Sequence, residues 1–308
     1  MTQKELHQHY LRLTVVTLMW GGTFVAARFI VREVPPFTAA FLRFAIAAAV
    51  LWVFMRATEK PSVKISLNQW LLLASLGLTG IFIYNALFFT GLKYTTAGNG
   101  SLVIATNPVL TIIVAAIILR EKVTYRQLVG ILVSFSGVAL VVSRGVPAAL
   151  LSHDFNRGDL IMMGAPLAWA FYSVLGKKAM AVFSPLAATT YACLLGSVFL
   201  FPFALWDGFN WLTISDATWG AIAFMAILAS VISFNWWYVG INALGAGRAA
   251  IFINLVPLWA MLLGWIMLGE GITPVQFFGA AFIITGVCLT SRKNGPSLEN
   301  QNKVVNNC

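Results

Sequence analysis

Ten apolar segments alternate with short polar breaks along the chain. A helix needs about 20 apolar residues to cross the hydrocarbon of a bilayer. The breaks hold turn formers and charges, as in REVPP and RATEKPSVK. The pattern predicts an all-α polytopic membrane protein with ten transmembrane helices. The predicted spans are residues 11–31, 36–55, 68–92, 96–119, 124–143, 158–180, 184–206, 215–241, 245–269 and 273–291.

The fourth and ninth segments carry the same interruptions. Pro108 breaks one and Pro257 the other, and a glutamate ends each segment, Glu121 and Glu270. Proline bends a membrane helix and frees a backbone carbonyl, which then needs another partner or a water-filled cavity. Paired interruptions indicate a binding region, and a purely structural kink is the alternative.

A shift of 149 residues superimposes the second half of the sequence on the first. Between residues 91–138 and 240–287, 13 of 48 positions are identical. This predicts one five-helix repeat over residues 11–143 and a second over 158–291, joined by a loop at 144–157. Because five is odd, the second repeat must be inverted in the membrane, as in many secondary transporters, whose substrate site lies between the repeats.

The composition supports a lipid environment, and the charges predict an orientation. The chain has 308 residues, of which 59% are hydrophobic and 10% charged, with a net charge of +10. If the N-terminus is cytoplasmic, 14 Lys and Arg residues lie inside and five outside, so both termini are predicted to be cytoplasmic. The excess positive charge then orients the chain and contacts lipid headgroups, and nucleic acid is not expected as a partner.

The ends of the chain and its cysteines suggest little further chemistry. Residues 1–10 are predicted to be a cytoplasmic N-terminus without a removable signal peptide, and residues 292–308 a disordered cytoplasmic tail. The three cysteines form no disulfide framework, and the three histidines have no ligand spacing. We therefore expect no metal and no cofactor, and a monomer is compatible with the sequence.

Arg43 is the most informative single residue, because it lies inside the second predicted span. A charge at the bilayer centre costs about 2.5–3.5 kcal/mol on insertion scales, so such a side chain normally faces a cavity or a partner. One interpretation is that Arg43 binds the carboxylate of a solute. The alternative is that its side chain extends to the membrane interface or ties helices together.

Polar and aromatic side chains recur at helical spacing in several other spans. A side-chain amide in lipid needs a partner, so these stripes are expected to face inward, either to bind substrate or to join helices. Trp20 and Trp169 occupy equivalent mid-span positions in the two halves. The candidate substrate-binding residues are Arg43, Trp20, Trp169, Tyr84, Asn85, Phe88, Asn107, Asn235, Tyr238 and Asn254.

A second set of residues is predicted to act in gating or structure. Gly98 and Gly247 permit close helix crossing or a hinge, with tight packing as the simpler interpretation. Glu121 and Glu270 follow helix C-termini, where the helix dipole disfavours a carboxylate, so each is expected to need a donor or a cation. Pro108 and Pro257 complete this set, and a solvated loop charge is the alternative for either glutamate.

These motifs together resemble the EamA branch of the drug/metabolite transporter superfamily. They are WGGTF near the start, AGNGSLVIATNPVLT in the fourth span, and LREKVTYRQLVGILVSFSGVAL with its weaker twin LGEGITPVQFFGAAFIITGVCL. The resemblance covers residues 10–292. It implies a ten-helix carrier of the inner membrane, often an exporter of amino acids or other small metabolites, without fixing the substrate.

The predicted function is therefore secondary transport of a small metabolite, most simply export of an amino acid. A carrier of drugs, nucleosides or organic cations, working as an exchanger or importer, is the alternative. The sequence lacks the GxxxxGK[ST] motif of ATP-binding loops, and no carboxylate lies mid-span. An intramembrane enzyme would need a catalytic set that the spans do not contain, and a channel would need a uniformly polar face.

Overall fold

The computed structural model describes residues 3–59, 65–119, 124–142, 145, 156–208, 214–244 and 252–291. In these ranges the chain forms helices and turns and no strand. The helices are α1 Gln3–Ile30, α2 Pro36–Thr58, α3 Leu67–Leu76, α4 Tyr84–Tyr94, α5 Ala97–Ile104, α6 Asn107–Leu119, α7 Tyr125–Val142, α8 Arg157–Met162, α9 Gly164–Ala179, α10 Pro185–Trp206, α11 Asp216–Ala226, α12 Ser233–Leu244, α13 Leu255–Leu268 and α14 Pro274–Ser291.

Seven helical stretches within the described ranges are long and apolar enough to cross a membrane, and three shorter apolar helices follow the same pattern. Large apolar side chains cover the outside of these helices, as at Val53, Trp206 and Phe277, each more than 65% exposed. An outer surface of this kind suits lipid rather than water. The protein is thus an all-helical membrane protein.

Short polar residues begin the helices and proline fits their first turns. Ser66 forms a capping box with Gln69 at α3, and the hydroxyl of Ser184 accepts a hydrogen bond from the backbone of Ala187 at α10. Pro185 occupies the first turn of α10, where its missing N–H costs nothing.

Two stretches of π-helix interrupt spans that the sequence predicts to be continuous. Residues Gly77–Ile83 join α3 to α4, and Ile227–Ile232 join α11 to α12. A shift of 149 maps 77–83 onto 226–232, so both halves carry the distortion at the same place. A π-helix leaves some carbonyls without their usual i+4 donor, and such segments often lie at functional sites.

The span around Pro108 is a broken helix rather than a bent one. Helix α5 ends at Ile104, Ala105 and Thr106 form a turn, and α6 begins at Asn107. Pro108 then lies in the first turn of α6, where a proline needs no N–H donor. Pro257 lies in the first turn of α13 in the same way.

Helices α2 and α10 pack side by side and run in opposite directions. Near one end, Asp207 accepts hydrogen bonds of 3.0 Å from the backbone N–H and the hydroxyl of Thr38. At the other end, Glu59 accepts one of 2.6 Å from the hydroxyl of Ser184. Each acidic residue follows the C-terminus of one helix and neutralises the positive N-terminus of its neighbour.

Loops that are far apart in the sequence meet at one end of the molecule. The backbone N–H and hydroxyl of Ser215 bind Glu33, which lowers the pKa of that carboxyl below its ordinary value and keeps it ionised. Arg28 at the end of α1 donates to the carbonyl of Leu92. Further contacts at this end include Thr95–Asp159 and Ala97–Glu270.

Helices α7 and α14 cross at a contact made by glycines. A Cβ atom at Gly137 would lie 2.8 Å from the carbonyl oxygen of Gly279, and one at Gly286 would lie 2.5 Å from that of Gly130. These two contacts exchange under the 149-residue shift. Small residues let membrane helices approach closely enough for backbone contact.

The substitution Gly286→Ala should force α7 and α14 apart, since backbone atoms cannot yield as a flexible side chain can. We expect a stability loss of about 1–3 kcal/mol, typical of overpacking, seen as a lower thermal unfolding midpoint in detergent. Gly220→Ala is the control, because a Cβ there has no neighbour within 4 Å. Equal midpoints for the two variants would contradict this packing.

Candidate functional site

A cavity lies between the two halves of the chain, about midway along the helices. Six of its twelve lining residues are aromatic. Its free volume is about 40 Å³, and since a buried water needs roughly 10–15 Å³, the cavity has room for about three waters. The lining residues are Trp20, Thr23, Phe24, Arg43, Tyr84, Phe88, Ile104, Asn107, Trp169, Phe234, Ile253 and Val256.

Arg43 supplies the charge in this cavity. Its side chain is 4% exposed, and its guanidinium carbon lies 4.7 Å from the centre of the Phe44 ring. Nε donates to Ser230 Oγ at 3.0 Å, and Nη1 donates to Asn85 Oδ1 at 3.2 Å. Among the described residues no carboxylate pairs with Arg43. The guanidinium is therefore held by neutral groups, and no negative charge among the described residues compensates it.

The two π-helical segments fix the partners of Arg43. The amide nitrogen of Asn85 donates to the carbonyls of Gly80 and Ile81, at 3.3 and 2.9 Å. Ser230 donates to the carbonyl of Met225 at 2.9 Å. The amide and the hydroxyl spend their protons on the backbone, so their oxygens are free to accept from the guanidinium.

Aromatic rings form much of the cavity wall. Trp20 donates its indole N–H to the carbonyl of Ala229 at 3.1 Å, again within a π-helical segment. Its ring lies edge-on to Trp169 at 5.6 Å and to Phe234 at 6.0 Å. Tyr84 packs on Trp169 at 5.1 Å. This edge-to-face packing holds the rings in place and presents apolar surface to a solute.

Asn107 brings a second polar group to the cavity, at the start of α6. It is 3% exposed, and its Oδ1 accepts a hydrogen bond of 3.0 Å from Thr111. Its amide N–H groups are therefore donors beside the cavity. Asn107 begins α6 directly after the turn at Ala105 and Thr106 that separates this helix from α5.

Glu270 and Gly98 lie away from this cavity, at the end of the molecule where the loops meet. Both carboxylate oxygens of Glu270 accept hydrogen bonds from the backbone of Ala97, at 3.0 and 3.1 Å, and one lies 3.4 Å from Gly98 N. Arg28 is 3.6 Å from the same carboxylate. Glu270 thus has both a cation and donors.

Some candidate residues lie beside the cavity without lining it. Asn85 acts through Arg43, and Tyr238 stacks on Tyr172 behind the wall at 5.8 Å. Asn235 is half-buried, and Asn254 is 7% exposed with its Oδ1 unpaired among the described residues. Glu121 and Gly247 lie outside the described residues.

Several cavity residues are not among the candidates predicted from the sequence. Phe24 lies four residues after Trp20 in α1 and could have been found by helical spacing. Ser230 gave no signal, because a lone serine in an apolar span resembles any small packing residue. The lining residues missed are Thr23, Phe24, Ile104, Phe234, Ile253 and Val256, and Ser230 was missed as a partner of Arg43.

The variant Asn85→Ala should destabilise the protein more than Asn235→Ala. It removes an acceptor from the buried guanidinium and a donor from two carbonyls, and an unsatisfied buried group costs about 1–3 kcal/mol. Asn235 has no hydrogen bond within the described ranges, so it serves as the control. Thermal unfolding in detergent measures the difference, and similar midpoints would show that Asn85 does not support Arg43.

Comparison with known proteins places this architecture in a family. A model of the EamA-like transporter family matches residues 10–143 and 156–292. YyaM, an uncharacterized transporter of Bacillus subtilis (strain 168), is 37% identical over 92% of this chain and 93% of its own. A probable terminal-alkyne amino-acid exporter of Streptantibioticus cattleyicolor is 30% identical over 92% of both chains.

A solved crystal structure matches the fold with a TM-score of 0.64, over 92% of this chain and 97% of that chain, at 20% identity. The family model covers both halves of the chain, and it describes transporters rather than enzymes. The chain with the Arg43 cavity belongs to the EamA-like transporter family.

Proposed function

We propose that this transporter is a secondary carrier that exports amino acids or related small metabolites across the inner membrane by alternating access. The observation that carries the proposal is Arg43, a buried cation that lines a mid-helix cavity and has neutral partners. A guanidinium in low dielectric attracts a carboxylate strongly and binds it through two parallel hydrogen bonds. The name of the Streptantibioticus relative supports the same substrate class.

The cavity walls suit the remainder of an amino acid. Aromatic rings from both halves accept an apolar side chain, and Asn107 offers an amide near the same space. A nucleoside could stack on these rings as well, which keeps it as the alternative substrate. An organic cation fits less well, because Arg43 repels it.

Paired features support an inverted repeat with ten crossings. The 149-residue shift maps Trp20 onto Trp169 and Ile104 onto Ile253, and all four line the cavity. The opposed directions of α2 and α10, which are equivalent helices of the two repeats, agree with inversion. The cavity then lies at the interface of repeats 11–143 and 158–291, where alternating access needs it.

The small volume of the cavity agrees with a closed state of the carrier. Space for about three waters is less than an amino acid occupies, so one side must open before a solute enters. The glycine contact between α7 and α14 lies outside this region and can persist while other helices separate.

Transport by the reconstituted protein tests the proposal directly. Proteoliposomes preloaded with an unlabelled solute are mixed with the radiolabelled solute, and counterflow is followed for amino acids, nucleosides and organic cations. We expect saturable counterflow of at least one neutral amino acid. If every solute exchanges as slowly as in protein-free vesicles, a carrier function is rejected. Flux without saturation would favour a channel.

The variant Arg43→Gln should raise the KM for an amino acid. It should raise the KM less for the corresponding amine, which has the same side chain and no carboxylate. Loss of a charge-assisted hydrogen bond of about 1.5–3 kcal/mol corresponds to roughly a tenfold to hundredfold change. Arg56→Gln, on the exposed end of the same helix, is the matched control. Equal losses for amino acid and amine would assign Arg43 a structural role.

Tags at the chain ends and in the inter-repeat loop test the orientation. With both termini cytoplasmic and five crossings in each repeat, an epitope inserted after residue 150 should bind antibody in spheroplasts with intact inner membranes. Epitopes at residues 1 and 308 should bind only after permeabilisation. Position 150 on the same side as both ends would overturn the inverted repeat.

A further inference from the structure

A second cavity lies at the end of the molecule where the loops meet, and its volume of about 340 Å³ exceeds that of the Arg43 cavity. We call it the vestibule. Eight of its eleven lining residues carry polar side chains, and Arg28 is the cation among them. It is lined by Arg28, Tyr94, Thr95, Thr96, Asn99, Val141, Asn156, Gly271, Thr273, Val275 and Gln276.

We infer that the vestibule is a second binding site for a solute carboxylate, with Arg28 as its anchor and Glu270 as a tethered competitor. The inference rests on the proposed function, because it describes the step before or after the Arg43 cavity. It assigns a ligand to a site that the transport proposal does not need.

The hydrogen bonds of Arg28 leave part of its guanidinium unused. Nη1 donates to the carbonyl of Leu92 at 3.0 Å, whereas the buried Nε has no hydrogen-bond partner in the described structure. Glu270 lies 3.6 Å from Nε, beyond hydrogen-bond distance, because its oxygens bind the backbone of Ala97. The Arg28 side chain as a whole is 26% exposed and lines the vestibule, so its guanidinium can take another oxygen ligand there.

The local charge balance favours an anion. Arg28 contributes one positive charge, and the N-terminus of α5 adds roughly half a charge, against one negative charge each on Glu270 and Asp159. Lys93 and Arg157 are exposed next to lining residues and add positive charge at the rim. Asp159 is buried and receives the hydroxyl of Thr95. The vestibule therefore attracts anions from solution.

Amide groups add the specificity that a carboxylate site needs. Gln276 Nε2 donates to Asn99 Oδ1 at 2.8 Å, and Gln276 Oε1 accepts from the backbone of Thr273. The amide N–H groups of Asn99 thus remain donors on the vestibule wall.

Helices α1, α4 and α5 each contribute lining residues to both the vestibule and the Arg43 cavity. Helix α1 places Phe24 in the cavity and Arg28 one turn later in the vestibule, about 6 Å further along the axis. Phe24 and Phe88 pack on each other in the lining of the Arg43 cavity, with their ring centres 5.1 Å apart.

Cysteine labelling in nanodiscs tests the vestibule without requiring transport. The full chain with Cys193→Ala, Cys288→Ala, Cys308→Ala and Val275→Cys is treated with an anionic and a cationic methanethiosulfonate. Each rate is divided by the rate of the same reagent with mercaptoethanol. We expect the anionic reagent to be favoured about tenfold, as for one unit charge near contact.

Further variants identify the source of this preference. Arg28→Gln should abolish it and Arg28→Lys should keep it, while Glu270→Gln should increase it. Arg32→Gln is the matched control, because Arg32 is exposed near the same end of α1 and does not line the vestibule. A preference that survives Arg28→Gln, or none in the parent protein, would overturn the inference.

Protection by propionate tests for a bound carboxylate. Propionate should slow labelling by the anionic reagent in the parent protein and not in Arg28→Gln, whereas neutral propionamide should protect neither. Equal protection by both compounds would reject carboxylate recognition. Protection that depends on Arg28 in a protein without amino-acid counterflow would reject the proposed function and keep the site; the reverse result would reject the site alone.

Discussion

The burial of one guanidinium without a carboxylate is the constraint that organises the centre of this protein. Removing an ionised side chain from water costs several kcal/mol unless other groups replace its hydration. Here the replacement comes from an amide and a hydroxyl on different helices, Asn85 and Ser230, and from the face of Phe44. A carboxylate from the protein would have satisfied the charge completely and left nothing for a solute.

The polar groups at the centre break the symmetry of the fold. The repeat counterpart of Arg43 is Ala192, and the counterpart of Asn85 is Phe234. Under the proposed inversion the helical framework can exchange its two halves, but the charge stays on one side of the cavity. A solute held by its carboxylate would therefore keep one anchor while its surroundings rearrange, and only its aromatic contacts would change.

The sequence predicted much of the framework, because apolar length, caps and prolines act locally. The apolar segments lie close to the observed helices, and the break at Pro108 matches the paired interruption. The sequence did not predict the π-helical segments, because they depend on which side-chain donors from other helices reach the freed carbonyls. The sequence likewise could not show that Ser230 would hold Arg43.

The inward face of α12 shows why the amide stripes were a weak guide. The need of an amide for a partner suggested that Asn235 faces the cavity, but the structure places Phe234 there, packed on Trp20 and Trp169. Burying the Phe234 ring contributes more free energy than one hydrogen bond from the Asn235 amide would. This difference sets which face of α12 turns toward the cavity.

The acidic contacts at both ends of the α2–α10 pair restrict how these two helices can move. Sliding one helix along the other would lengthen the hydrogen bonds at Thr38 and at Ser184 together. A small rotation about the line of contact between the two helices lengthens both hydrogen bonds less than sliding does. The two end contacts therefore resist sliding of one helix along the other more than rotation of the pair.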